Sequence, residues 1–221
     1  MTNIYGPVII NLDRRTDRLE ETRLELDRLN FELIRFSATE SSTSIPASVA
    51  CLDSHCRVLE EFIKSDYDVV FICEDDVVFN CQRSEIDKCL VEFISTSADV
   101  LCLGYYAAQI LDHTSDFNIS NDIQNRVSYV VKRNAAKELI YIWRKLYTLL
   151  VTNTHIKTPN NWYSQAYANL PITNKAADIY RGDQAWKICQ QNLQFILPKK
   201  QLAFQRKSYS DIEKAVVFYG N

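Results

Sequence analysis

Two hydrophobic rhythms take turns along this chain. Val8-Ile9-Ile10-Asn11-Leu12 is a short apolar run that reads as a strand, and from about Asp17 to Asn30 the leucines Leu19, Leu26 and Leu29 fall on one helical face. Asp17-x-x-Glu20 supplies a capping signal for that helix. Phe31 to Ser37 predicts a second strand, after which a Ser/Thr-rich loop (Thr39 to Ser44) leads through Pro46 to a helix from about Ser48 to Lys64. The run Asp68 to Val77 is the next strand, followed by a helix from about Ser84 to Ser95 and a strand from Asp99 to Gly104. Residues 105 to 125 are polar and are expected as loop, Val127 to Lys132 as a strand, and Asn134 as the cap of an amphipathic helix reaching about Val151. A short helix (Asp183 to Gln191) and a strand (Leu193 to Leu197) close the pattern.

This alternation predicts an α/β fold: one domain over residues 1–221, with a mostly parallel central sheet flanked by helices. The rhythm fails from Thr152 to Arg181, a polar stretch interleaved with Trp162, Tyr163, Tyr167 and Tyr180. A segment that long without periodicity is a lid or binding loop, or else disordered.

Composition narrows the function classes. A formal net charge of -3 and a pI near 5.7 leave no general basic field for nucleic acid or an anionic membrane. No apolar run approaches the ~20 residues of a membrane span, and the opening residues lack a basic leader with an apolar core, so a soluble, cytoplasmic protein is expected. Seven cysteines, an odd number, sit largely in apolar settings such as Cys73, Cys89 and Cys102, as core residues do in a reducing compartment. There is no Cys-x-x-Cys pair, and His55, His113 and His155 are far apart, so no zinc spacing is apparent. The four glycines, Gly6, Gly104, Gly182 and Gly220, are scattered, which excludes both the dinucleotide fingerprint and the P-loop.

The chemistry is concentrated at the end of the third strand. Asp68-Val-Val-Phe-Ile-Cys delivers three consecutive carboxylates, Glu74, Asp75 and Asp76, to one edge of the sheet. Ligands of such sheets bind beyond the carboxyl ends of the strands, and clustered carboxylate oxygens suit Mg²⁺ or Mn²⁺ holding a diphosphate. The alternative is a solvated acidic turn after a core strand.

Five segments in chain order are similar to successive motifs of one family. They are Ile10-Asn-Leu-Asp-Arg-Arg-Thr-Asp-Arg18, Cys51-Leu-Asp-Ser-His55, Glu74-Asp-Asp-Val77, Tyr129-Val-Val-Lys-Arg-Asn-Ala-Ala-Lys-Glu-Leu139, and Gln205 with Ser210-Asp211-Ile212. Together they resemble glycosyltransferase family 25, the lipooligosaccharide and procollagen galactosyltransferase group. That resemblance implies a Rossmann-like domain of the GT-A type. It also implies metal-dependent transfer of galactose or a related hexose or pentose from a UDP-sugar to a carbohydrate or hydroxyl acceptor, with inversion.

On this resemblance Glu74-x-Asp76 fills the family's acidic motif, with Asp76 and Glu74 as ligands of Mn²⁺ (or Mg²⁺) and Glu74 also a ribose contact. Asp75 would meet the donor sugar or the acceptor hydroxyl. Asn11, Leu12, Arg14 and Arg18 would contact the nucleotide, and Ser54 and His55 the donor pocket. Asp183 is the candidate general base, with Asp178 as the alternative and a plain helix cap as its structural reading; Trp186 would stack on sugar. Residues 152–181 would form the acceptor side. Two other classes stand beside this one: a catalytically inactive binding module, against which the acidic triplet argues, and another nucleotide-using Rossmann-like transferase, against which the missing glycine cluster argues.

Overall fold

A computed structural model describes residues 2–107, 109–151, 182–210, 212 and 215–217, with the backbone alone at 149, 182–185 and 217. The strand and helix rhythms meet in a layered arrangement. β1 (Ile4–Asn11), α1 (Thr16–Arg28), β2 (Ile34–Ser37), α2 (Ala47–Lys64), β3 (Val69–Glu74), β4 (Val77–Phe79) and α3 (Arg83–Ser95) make the first half. β5 (Val100–Ala107), β6 (Leu111–Asp112), β7 (Phe117–Ile119), β8 (Ile123–Lys132) and α4 (Arg133–Val151) follow. Then come α5 (Gly182–Cys189), β9 (Phe195–Pro198), β10 (Ala203–Gln205), β11 (Ser208–Ser210) and β12 (Ala215–Val217).

The eight-stranded sheet has the order β2-β1-β3-β8-β5-β9-β7-β6. β1 is parallel to both β2 and β3, and β5 is parallel to β9. β8 lies antiparallel between β3 and β5, and β7 is antiparallel to β9 and β6, so β8 and β7 run against the other six. The α/β class and the sheet are therefore as the alternation predicts, with one correction. Residues 105–125 are not all loop, because β5 extends to Ala107 and β6, β7 and the start of β8 lie within this stretch.

Strand pleating sorts the core into two layers. Val8, Ile10, Val70, Ile72, Val100, Cys102, Tyr129 and Val131 face α2, α4 and α5. The intervening Ile9, Val69, Phe71, Cys73, Leu101, Leu103 and Val130 face α1 and α3. Each such side chain contributes about 1.5–3 kcal/mol when fully buried, which is why both faces are covered. Two capping expectations fail. Asp17 does not cap α1, whose N-cap is Arg15 with no side-chain cap bond, since Asp17 is held by Arg15 instead. α3 is capped by a Gln82/Glu85 box, and α4 follows β8 directly, which puts Asn134 inside the helix.

Gly104 clears the space that β10 occupies. It sits at a register shift between β5 and β8, where a Cβ would come within 2.4 Å of Val127 Cγ1 and 3.0 Å of the Ala203 carbonyl oxygen. The bare backbone lets β10 close against β5, and β10 pairs with β4 so that Gln205 lies opposite Val77.

Candidate active site

β1 and β3 run side by side in register, with Ile10 opposite Glu74, so Asn11 and Asp75 meet just beyond the strand ends. Asn11 Nδ2 donates to Asp75 Oδ2 at 2.7 Å, and its Oδ1 accepts from Arg35 Nε at 2.9 Å, which fixes the orientation of the amide. The other Asp75 oxygen accepts from Arg18 Nη1 at 2.8 Å. Arg18 Nη2 reaches Ser208 Oγ at 2.7 Å and the Tyr209 carbonyl at 2.8 Å, tying α1 and the acidic turn to β11. Thr22 Oγ1 donates to the Asp75 carbonyl at 2.7 Å from the next turn of α1.

Asp76 Oδ2 accepts from Gln205 Nε2 at 3.0 Å and lies 3.3 Å from Arg18 Nη1. Its other oxygen, Oδ1, is buried with no hydrogen-bond partner among the described residues. Burial, then the negative charge of Glu74, pushes the Asp76 carboxyl up to about 7, against the opposing pull of Arg18. Asp75 is also raised, because burial outweighs its bonds to Arg18 and Asn11.

Glu74 turns the other way. Its Oε1 accepts from His55 Nε2 at 3.0 Å and from the Cys51 thiol at 3.8 Å, both on α2, where i and i+4 share a face. His55 is fully buried, stacked on Tyr129 at 5.6 Å between ring centroids, and its Nδ1 is 2.7 Å from the Tyr129 hydroxyl. Burial, then the Arg126 charge, lowers His55 to about 4, so it faces Glu74 as a neutral imidazole whose Nε2–H donates while Nδ1 accepts from Tyr129. Burial raises Glu74, yet the His55 hydrogen bond and the positive charges of Arg126 and Arg18 outweigh it and hold the carboxyl below its ordinary value.

These groups line one cleft, about 730 Å³ when its open mouth is counted. Leu12, Arg14, Thr39, Ala47 and the acidic triplet are among the residues that line it. The cleft brings together the sequence-predicted Leu12, Arg14, Arg18, Ser54, His55, Glu74, Asp75 and Asp76. Asn11 stands just behind, holding Asp75.

Several of these residues also have partners within the protein. Arg18 is a clamp on Asp75, Asp76 and β11, while Arg14 reaches the half-exposed Glu40 at 3.2 Å. Ser54 donates to the Ala50 carbonyl and accepts from Thr39 N–H, both at 2.8 Å, which locks the loop after β2 onto α2. Trp186 does not offer a sugar-stacking face: it is fully buried against Trp143, Tyr129 and Phe195. Asp183 is the second residue of α5, and its side chain lies outside the described residues, as do Asp178 and the whole of 152–181.

Periodicity and motif matching assign no role to Gln205 or Cys51, although both stand in family-like segments, and none to Arg126. They also miss that Cys51, His55 and Glu74 form a group, since that association spans two elements.

No helix among the described residues is long and apolar enough to cross a membrane. No protein-family model matches the chain, and no curated protein matches it. Among solved structures, it is similar to the A197 protein from STIV at 15% identity, covering 89% of this chain and 81% of that one, with a TM-score of 0.45. It is similar to a glycosyltransferase involved in the glycosylation of the major capsid of PBCV-1 at 10% identity, covering 97% of each chain, with a TM-score of 0.44. It is also similar to a mannose-1-phosphate geranyltransferase from Thermus thermophilus at 9% identity, covering 93% of this chain and 75% of that one, with a TM-score of 0.43.

Proposed function

We propose that this chain is a metal-dependent glycosyltransferase of the GT-A type, similar to glycosyltransferase family 25. It moves a hexosyl or pentosyl group from a UDP-sugar to a hydroxyl of a carbohydrate or other acceptor, with inversion. The observation that carries this reading is the convergence of β1, α1 and the acidic triplet on one cleft, with a buried Asp76 oxygen that lacks a partner among the described residues. Leaving such an oxygen unpaired costs about 1–3 kcal/mol, which a bound cation relieves.

Asp76 and Glu74 both line the cleft, and their hard oxygens are the kind of donor that Mn²⁺ or Mg²⁺ takes. When bound, that ion supplies positive charge against the leaving diphosphate. Arg18 and Asn11 hold Asp75 and Asp76 at the end of β3. Leu12 and Arg14 line the cleft and in this reading take the nucleotide. Both oxygens of Asp75 are occupied, so Asp183 is the base in this reading. It takes the acceptor hydroxyl proton as the acceptor oxygen bonds to the anomeric carbon and the carbon–oxygen bond to the diphosphate breaks.

A thermal-shift screen of UDP- and GDP-sugars with and without Mn²⁺ tests the reading. A ligand at about 100 times its Kd adds about 2.7 kcal/mol, a rise of roughly 5–10 °C for a chain of this size. UDP with Mn²⁺ should give that rise and UDP alone should not. No metal-dependent UDP shift overturns the proposal. Asp183→Asn should then keep the shift but lose about 10²- to 10⁴-fold in turnover.

A further inference from the structure

Cys51 Sγ, His55 Nε2 and Glu74 Oε1 all lie within 4.8 Å of one another, with His55 3.0 Å and Cys51 3.8 Å from the carboxylate oxygen. We propose that these three side chains form a site for a borderline-soft divalent cation of the Zn²⁺ class, with a fourth position open to the cleft. The inference goes beyond the transferase reading and does not rest on it, although Glu74 is shared by both.

The donor set is the mixed nitrogen, sulfur and oxygen kind that Zn²⁺ takes, and three protein ligands with one open position is its usual arrangement at reactive sites. Two of the three ligands are held by a neighbour outside the group. The Tyr129 hydroxyl sits 2.7 Å from His55 Nδ1, and hydroxyl rotation lets it accept the single imidazole proton there, leaving the Nε2 lone pair for the ion. Arg126 Nη2 donates to Cys51 Sγ at 3.4 Å, an interaction that favours the thiolate.

Binding releases the Cys51 proton to solvent. The resulting thiolate and carboxylate neutralise the dication, and the Arg126 charge remains to favour an anionic oxygen at the open position. Cys51 differs from the other six cysteines, all of which are buried in the core. Cys51, His55 and Glu74 all line the cleft, so an ion has a route in.

Co²⁺, whose thiolate charge-transfer absorption reports sulfur ligation, is the probe. The reduced protein should bind one equivalent of Co²⁺ with that near-ultraviolet band, and Zn²⁺ should bleach it. Cys51→Ser should abolish the band while the metal-free protein melts as before. Tyr129→Phe should retain the band but weaken Co²⁺ by about 10- to 100-fold. Glu74→Gln guards against a folding defect in either, and should weaken Co²⁺ by about tenfold or more. Absence of a thiolate band in the parent protein, its persistence in Cys51→Ser, or unchanged affinity in Glu74→Gln overturns the proposal. Failure of UDP to bind would overturn the transferase reading and leave the cobalt spectrum untouched.

Discussion

Glu74 turns toward α2, where it meets a neutral imidazole and a thiol, whereas Asp75 and Asp76 turn toward α1 and β10, where they meet a guanidinium and two amides. β3 ends at Glu74 and the next two residues form a turn, so the pleat separates Glu74 from Asp75 and the turn carries Asp76 toward β10. Val70 and Ile72 precede Glu74 on the α2 face, while Phe71 and Cys73 mark the α1 face on which Asp75 emerges. Adjacent carboxyls consequently titrate apart: Glu74 is held below its ordinary value, while Asp76, desolvated and beside two other acids, is pushed up to about 7. An acidic run at a strand end is thus two environments joined by one backbone, and each can be broken separately.

The largest effect belongs to Arg18, whose side chain is 12% exposed and bridges both acids. Replacing it with Met leaves two buried carboxyls without their cation, a class of change that costs about 3–5 kcal/mol. Thermal melts should fall by roughly 6–20 °C. Arg14→Met, which breaks the exposed pair with Glu40, should change stability by no more than about 0.5 kcal/mol. If the two variants melt alike, Arg18 is not the clamp.

Asp76→Asn comes next, and its effect depends on pH. The native state holds the Asp76 proton more tightly than the unfolded chain, so stability falls as pH rises from 3.8 toward about 7 and stays reduced above that. Asn carries no titrating charge. The variant should melt above the parent at pH 8, by about 1–3 kcal/mol, and the gap should close as the pH drops toward 4. A gap that is constant with pH would mean that Asp76 is ionised throughout and that the two environments do not differ in this way.

The contrast was half legible in the sequence. The β-α alternation, the two-sided core and the delivery of carboxylates to a strand end follow from periodicity, because those features are local. What stayed hidden depends on distant partners. Gln205 reaches Asp76 from 129 positions away, on a strand admitted by the missing side chain at Gly104. The Cys51–His55 pair escaped a search for Cys-x-x-Cys because its third member lies 19 positions beyond His55 on another element. β6 has two exposed residues, too short to show any rhythm. Trp186 reads as a binding surface in the sequence, but its helix turns that ring into the core beside Trp143.

The smallest effect sharpens the comparison most. Tyr129 supports the Glu74 side through His55, and its ring packs against Trp186 at 4.9 Å, so removing the hydroxyl alone leaves the packing intact. Tyr129→Phe then strips one hydrogen bond from a buried imidazole, worth about 1 kcal/mol. His55 keeps Glu74 as its remaining partner, and nothing on the α1 face is touched. Combined with Arg18→Met, the losses should add to within about 0.5 kcal/mol, since the two residues share no hydrogen-bond partner and address opposite faces of the sheet. Urea melts of the two single variants and the double variant measure the coupling directly. A coupling above about 1 kcal/mol would show the three carboxyls acting as one titrating unit, with charge on Glu74 felt at Asp76 strongly enough to join the two regions into one.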